Sequence, residues 1–382
     1  MQTTKRFILL ILSTAVLASC SDGRDQVPTT IDVTIANLNV LHGFDCDPPL
    51  PGDGDQCRVR ERIALLVDLL IERGCPDIVT LQEVVNKEFV QRSPTEAAGP
   101  LDSIVDLLEQ GLPELTLACG FTYNLLYQPF LPSGVAETDE ELILSRYPIL
   151  HSEVQPLHSA LYDIPNAFLI FARHVLYTRI AHPVGEIDIY TTHLSSGSDS
   201  ATNSCDSFRE LIPGTGVGPR VDCPMECDTQ DTVRACQSEQ LALYVERTRG
   251  NGNLALISGD FNALPGSSEY RSMTNRGWLD SHLAAGQGQC DAVSGSNCTS
   301  GRGSSSDNLE NPALNTTRRI DYIFVASAPG GNTPGEERCR VDDAGLFAGE
   351  PNPFADRCGP PPAAMCWVSD HSGNYARISC ER

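Results

Sequence analysis

A carboxylate and a carboxamide two residues apart, Asp260 and Asn262, stand in the stretch Ser258-Gly259-Asp260-Phe261-Asn262-Ala263. The apolar run at 253–257 before them reads as a buried strand, and Leu264-Pro265-Gly266 after them reads as a turn. Residues two apart on an extended chain lie on the same side. One group accepts hydrogen bonds and carries charge; the other donates and accepts. Together they can hold a water and a phosphoryl oxygen. An Asp/Asn-rich turn after a core strand has the same composition, so the pair decides nothing alone. Related residues recur at other predicted strand ends. Asn39 closes 31–40, Glu83 closes 77–83, His193 closes 187–193, and Asp321 lies in 320–326. Asp370 and His371 follow in Ser369-Asp370-His371-Ser372-Gly373.

The elements that must position these groups alternate early and become strand-rich later. A helix is predicted over 58–73, where Ile63, Leu66, Val67 and Leu70 share one face. Further helices are predicted over 101–110 and 229–249. Further strands are predicted over 121–127, 141–145, 168–180, 366–369 and 375–379. Gly-, Ser-, Pro- and Cys-rich stretches at 195–228, 284–317 and 327–365 read as insertions, with bridges expected to staple them to the scaffold.

The chain has 382 residues, is 41% hydrophobic and carries a net charge of −23. That length and composition suit a globular core. That charge opposes loose, charge-driven binding to nucleic acid, though a bound cation inverts the sign locally. Lys5 and Arg6, the apolar run 7–17 and the small residues that follow describe a secretory signal over 1–19. Leu17-Ala18-Ser19-Cys20 resembles a bacterial lipobox, in which the cysteine becomes the lipidated first residue. Residues 20–30 then form the anchor and tether, and 31–382 the domain. A soluble secreted chain is the alternative. Setting Cys20 aside, 14 of the 15 cysteines remain, an even number that suits disulfides in an exported chain. The zinc-like spacing of Cys223 and Cys227 is read the same way, and the connectivity stays open.

The ordered set Asn37-Leu38-Asn39, Leu81-Gln82-Glu83-Val84, Leu144-Ser145-Arg146-Tyr147-Pro148, Thr192-His193-Leu194, Gly259-Asp260-Phe261-Asn262, Arg319-Ile320-Asp321-Tyr322 and Ser369-Asp370-His371 resembles the endonuclease/exonuclease/phosphatase superfamily. The resemblance spans roughly residues 31–380. It implies an α/β, four-layer sandwich of two packed mixed β-sheets with helices on the outer faces. It implies metal ligation by Glu83, with Asn39 beside it and Asp370 on the metal side. Mg²⁺ is the expected ion, with Mn²⁺ or Ca²⁺ as alternatives, since such hard cations favour oxygen donors. Asp260 and Asn262 would position water and phosphate. His371, held by Asp321, would be the general base. His193 would contact the phosphate or protonate the leaving oxygen, backed by one of Asp139, Glu140 and Glu141. Asn37 competes with Asn39. His42, His151, His158, His174, His182 and His282 are expected to be surface or structural residues.

The implied activity is hydrolysis of a phosphodiester, as in nucleases or related phosphodiesterases, by a monomeric exported enzyme anchored to a bacterial membrane through lipid on Cys20. A sphingomyelinase-like enzyme acting on phospholipid is the second reading. Against it, the insertions at 195–228 and 284–317 contain one aromatic residue, Phe208. A non-catalytic surface-binding protein is the third, and it has no need of both histidines and the Asp321 partner. The lipobox makes one direct prediction. Intact-mass analysis of the mature protein should find a chain beginning at a lipid-modified Cys20; an unmodified terminus downstream of it would contradict the anchor.

Overall fold

The computed structural model describes residues 30–42, 58–85, 102–129, 139–158, 173–197, 225–227, 229–250, 253–302, 308–326, 338–360 and 362–381. The expected signal segment, Cys20, nearly all of the expected tether and most of the first expected insertion, with Phe208, lie outside these residues. The strands are β1 (Thr30–Asn39), β2 (Ile78–Val85), β3 (Asn124–Tyr127), β4 (Asp139–Ser145), β5 (Ile149–Pro156), β6 (His174–His182), β7 (Gly185–His193), β8 (Leu254–Asp260), β9 (Leu279–Asp280), β10 (Asp321–Ala326), β11 (Arg338–Phe347) and β12 (Gly373–Glu381). The helices are α1 (Val59–Glu72), α2 (Ile104–Cys119), α3 (Val233–Thr248), α4 (Ser268–Thr274) and α5 (Ser281–Ala284).

Two six-stranded mixed sheets result, ordered β11-β12-β1-β2-β4-β3 and β5-β6-β7-β8-β10-β9. Each contains one parallel pair, β1 with β2 and β7 with β8. An apolar core fills the space between the sheets, with Ile31, Val33 and Ile35 of β1 meeting Ile187, Ile189, Leu254, Leu256 and Ile323. The opposite face of the first sheet buries Ala36 and Leu38 with residues of α1 and α2. The outer face of the second buries Ala255 and Ile257 with residues of α3 and α4. The expected four-layer sandwich is the observed one.

The period of two explains where the site must lie. Ile31, Val33 and Ile35 face the inter-sheet core, so Asn37 and Asn39 share that face further along β1. The same continuation runs from Ile187 and Ile189 to Thr191 and His193 on β7, and from Leu254 and Leu256 to Ser258 and Asp260 on β8. The inter-sheet space is therefore apolar at one end and polar at the other. Between the two ends lies a neutral hydrogen-bonded layer. Thr80 Oγ1 donates to Asn37 Oδ1 at 2.9 Å, and Thr80 and Ser258 bridge the sheets through their hydroxyls, also at 2.9 Å. Gln82 Nε2 donates to Asn37 Oδ1 and to Thr191 Oγ1, each at 2.9 Å.

Several expected boundaries need correction. α2 does not stop at Gln110 but continues through Gly111 and Pro113 to Cys119. Ser103 and Asp106 form a capping box at its start, and Gly120 ends it at φ 74°. A Cβ on Gly111 would come within 2.8 Å of Val67 Cγ2, so this glycine permits close α1–α2 packing instead of ending the helix. β5 is absent from the sequence-based expectations, because its mixed burial suits an edge strand with no clean alternation. β11 lies inside the third expected insertion and forms the edge of the other sheet, paired with β12. Residues 366–369 are not a strand but the approach to Asp370.

All ten cysteines among the described residues are paired, as Cys75–Cys119, Cys227–Cys236, Cys290–Cys298, Cys339–Cys380 and Cys358–Cys366. Stapling of insertions to scaffold holds for Cys339–Cys380, which ties β11 to β12. Cys290–Cys298 and Cys358–Cys366 instead close short loops of 8 residues' separation. Cys75–Cys119 joins the residues after α1 to the end of α2 across 44 residues. Chain-entropy reasoning assigns a loop of that length about 4 kcal/mol. The Cys75→Ala/Cys119→Ala double variant should therefore unfold at lower urea, by about 2–4 kcal/mol; an unchanged urea midpoint would contradict the role of this bridge.

Candidate active site

Strand register assembles half of the site. His193 on β7 pairs with Asp260 on β8, and Asp260 pairs with Asp321 on β10. Three ionisable groups thus form one row across the second sheet. Glycine is required beside this row. Gly259 has φ 148°, and a Cβ there would lie 2.0 Å from the carbonyl oxygen of Thr192. The first sheet supplies the facing half. β2 slips register between Leu81 and Val84, and Glu83 takes φ 60° at this irregularity. A bulge of this kind re-aims a side chain. Asn262, just past β8, also lies in the left-handed region at φ 50°.

Asn39 links the halves. Its Nδ2 donates to Glu83 Oε1 at 2.8 Å and to Asp260 Oδ2 at 3.1 Å. Its Oδ1 accepts from the backbone N–H of Leu41 at 3.0 Å. The amide nitrogen, not the oxygen, therefore faces the carboxylates. Ligation through the Asn39 oxygen requires the amide to turn and release Leu41. Asn37 is excluded as the competitor, since its oxygen is committed to Thr80 and Gln82 one layer below.

Asp260 lies between the two histidines. Its Oδ2 is 3.5 Å from His193 Nε2 and 3.9 Å from His371 Nε2, and its Oδ1 accepts from the Asn262 N–H at 2.8 Å. Asp321 meets His371 Nδ1 at 3.0 Å, as expected from the sequence. Burial, then the neighbouring Asp321 carboxylate, push the Asp260 carboxyl up to about 7. Burial disfavours a charged His371, but Asp321, Asp370 and Asp260 outweigh it and raise its imidazole well above the usual histidine range. Burial would also raise Glu83, but the hydrogen bond from His42, the neighbouring imidazoles and Asn39 hold it well below the usual carboxylate range.

Glu83, His193 and Asp260 converge closely enough to share one cation, as do Asp260, Asp321 and His371. The Glu83 and Asp260 oxygens fit a hard divalent cation, and the neutral Asn39 NH₂ stands between them as a hydrogen-bond donor to both. Asp370 belongs to neither group of converging donors. It accepts from Ser369 Oγ at 3.3 Å, and burial, with Glu83 nearby, raises its carboxyl.

Sequence reasoning missed several residues. His42, expected at the surface or in a structural role, instead serves the site. Its ring Nδ1 and its backbone N–H meet Glu83 Oε2 at 2.9 and 3.1 Å. Arg62 of α1 is fully buried and donates to the carbonyls of Leu41 and Val368 at 3.0 and 3.2 Å, bracing the segments that follow Asn39 and precede Asp370. The second insertion contributes as well. Thr299 Oγ1 accepts the Asp321 N–H at 3.1 Å, and the Ser372 N–H donates to the Thr299 carbonyl at 2.7 Å. Arg302 stacks over Trp367 at 3.7 Å and donates to Ser372 Oγ at 2.7 Å.

The carboxylate expected behind His193 is found as Glu141, which bonds its backbone N–H; the side chain of Asp139 lies outside the described residues. Of the three candidates, Glu141 accepts the His193 backbone N–H at 2.9 Å, while Glu140 and Glu141 both approach His174. At Nδ1 of the ring the partner is Arg173, whose Nη1 lies 2.8 Å away. An arginine just ahead of a strand carries no sequence signal for this contact.

The Endonuclease/Exonuclease/phosphatase family model matches residues 36–371. Among solved structures, a mannosyl-6-phosphatase from Bacteroides thetaiotaomicron superposes with a TM-score of 0.51 at 17% identity, covering 91% of this chain and 99% of that one. TDP2 from D. rerio, solved with a single-strand DNA product, superposes with a TM-score of 0.52 at 16% identity, covering 91% and 98%. A family protein from Bacteroides vulgatus gives 0.53 at 15% identity, covering 91% and 98%. No curated protein matches the sequence. The donor set itself makes a prediction. Mg²⁺ at about 100 times its dissociation constant should stabilise the wild-type fold by ~2.7 kcal/mol, and Glu83→Ala should lose most of that gain. Equal thermal shifts in both proteins would place the cation elsewhere.

Proposed function

Because the chain belongs to the endonuclease/exonuclease/phosphatase family, we propose that it is an exported, divalent-metal-dependent enzyme that hydrolyses a phosphodiester by in-line attack of water. The observation that carries this reading is Asp260 set between two imidazoles in different surroundings, 3.5 Å from His193 and 3.9 Å from His371. A carboxylate and a carboxylate-backed histidine can hold a water and take its proton. Asp321 stabilises the imidazolium so formed and fixes the His371 ring through Nδ1. Asn262 and His193 present N–H groups toward a non-bridging oxygen of the substrate. A divalent cation, when bound by Glu83 with Asn39 and Asp370 at its side, would stabilise charge on the phosphoryl oxygens and offset the carboxylates that hold the His371 proton.

The lipobox at Leu17–Cys20 favours a second reading, a phospholipid diester at the membrane to which the enzyme is tethered. The assay that tests both offers the mature protein, with Mg²⁺, single-stranded and duplex DNA, RNA, sphingomyelin vesicles and a phosphomonoester. Turnover of a diester supports the proposal, and the preferred diester separates its two forms. His371→Ala should lower turnover by about 10²–10⁴-fold without unfolding the protein. Adding Asp321→Ala should cost little more, because the aspartate acts through the histidine. Wild-type turnover in His371→Ala, insensitive to chelator, would overturn the reading.

A further inference from the structure

Two donors compete for the lone pairs of one ring. Arg173 Nη1 lies 2.8 Å from His193 Nδ1, and Asn262 Nδ2 lies 3.0 Å from His193 Nε2. A guanidinium has five N–H donors and no acceptor, and a carboxamide nitrogen is likewise only a donor. A neutral imidazole has one lone pair and one N–H. Both contacts cannot be hydrogen bonds, since that would leave the ring with no proton. The charge-assisted bond is the stronger kind, and here it is also the shorter. Asn262 Nδ2 has a separate acceptor in the Leu194 carbonyl at 3.0 Å. Arg173 is buried, so its charge is little screened by water. The lone pair therefore lies at Nδ1 and the proton at Nε2.

We propose that Arg173 is a positioning residue that holds His193 as the neutral Nε2–H tautomer, so that His193 meets the phosphoester as a hydrogen-bond donor and not as a proton acceptor. The final clause rests on the phosphoesterase reading; the tautomer does not. Nε2 also has two carboxylate acceptors within reach of a proton on it, Asp260 Oδ2 at 3.5 Å and Glu83 Oε1 at 3.9 Å, whereas Nδ1 has the Arg173 donor. The contrast with His371 is direct. There a carboxylate, Asp321, lies at the corresponding Nδ1, 3.0 Å away, and accepts its proton. Glu141, the carboxylate that could have backed the ring, is used on the backbone N–H instead.

The test is the protonation pattern of His193 in ¹⁵N-histidine-labelled protein, read from two-bond ¹H–¹⁵N spectra at neutral pH without metal. Its signals are identified by their loss in His193→Gln. Wild type should show a protonated Nε2 and a bare Nδ1. Arg173→Lys keeps a charged donor and should keep that pattern. Arg173→Gln should lose it, with population moving to the Nδ1–H form as Asn262 takes the Nε2 lone pair. A wild-type ring protonated at Nδ1 would overturn the proposal, and that measurement needs no variant to fold. Identical tautomers in wild type and Arg173→Gln would also overturn it. Phosphoester turnover is not part of this readout, so a failed activity assay would strike the function and leave the tautomer standing.

Discussion

The structure depends on keeping a set of ionisable groups out of water at one end of an otherwise apolar seam between two sheets. Asp260, Asp321, His193 and His371 are all buried. Buried charge is costly unless it is paired and hydrogen-bonded. Asp260 and Asp321 stand directly opposite on neighbouring strands, a destabilising arrangement for like charges. His371 offsets it by reaching both carboxylates. Beneath them the neutral layer of Asn37, Thr80, Gln82, Thr191 and Ser258 satisfies its own hydrogen bonds across the sheets. That layer separates the charged row from the Ile- and Leu-rich core, so neither interrupts the other.

The two histidines share one carboxylate and differ in what lies behind them. His371 has Asp321 at Nδ1, and His193 has Arg173. One partner stabilises the charged ring; the other opposes it. The two rings, otherwise alike, are thereby given different hydrogen-bonding roles at Nδ1: His371 faces an acceptor there and His193 a donor. Neither partner comes from the segment that carries its histidine. Asp321 begins β10, and Arg173 immediately precedes β6.

Segments that look peripheral in sequence hold this arrangement in place. Thr299 and Arg302, from a Gly/Ser-rich stretch, fasten the start of β10 and the approach to β12. Arg62, from the helix on the outer face, reaches the segment that follows Asn39 and the one that precedes Asp370. Hydrogen bonds from charged groups are worth more than neutral ones, and a buried guanidinium can serve several carbonyls at once. The scaffold thereby limits the motion of residues whose distances decide the chemistry.

The sequence by itself determined the architecture and most of the groups that meet at the polar end of the inter-sheet space. Alternation along β1, β7 and β8 placed Asn39, His193 and Asp260 on the inter-sheet face, and the Asp321–His371 pairing followed from the family resemblance. These features are local, repeated every second residue or carried by short motifs. What only the tertiary structure decided is which atom of each group faces which neighbour. Asn39 presents its nitrogen to Glu83 and Asp260, His42 turns onto Glu83, and Arg173 rather than Glu140 or Glu141 meets Nδ1 of His193. Such choices join residues far apart in sequence, including partners on opposing sheets, and no spacing along the chain encodes them. The extension of α2 past Pro113 and the strand β11 were hidden for the same reason: packing against α1 and pairing with β12 overrode weak local signals.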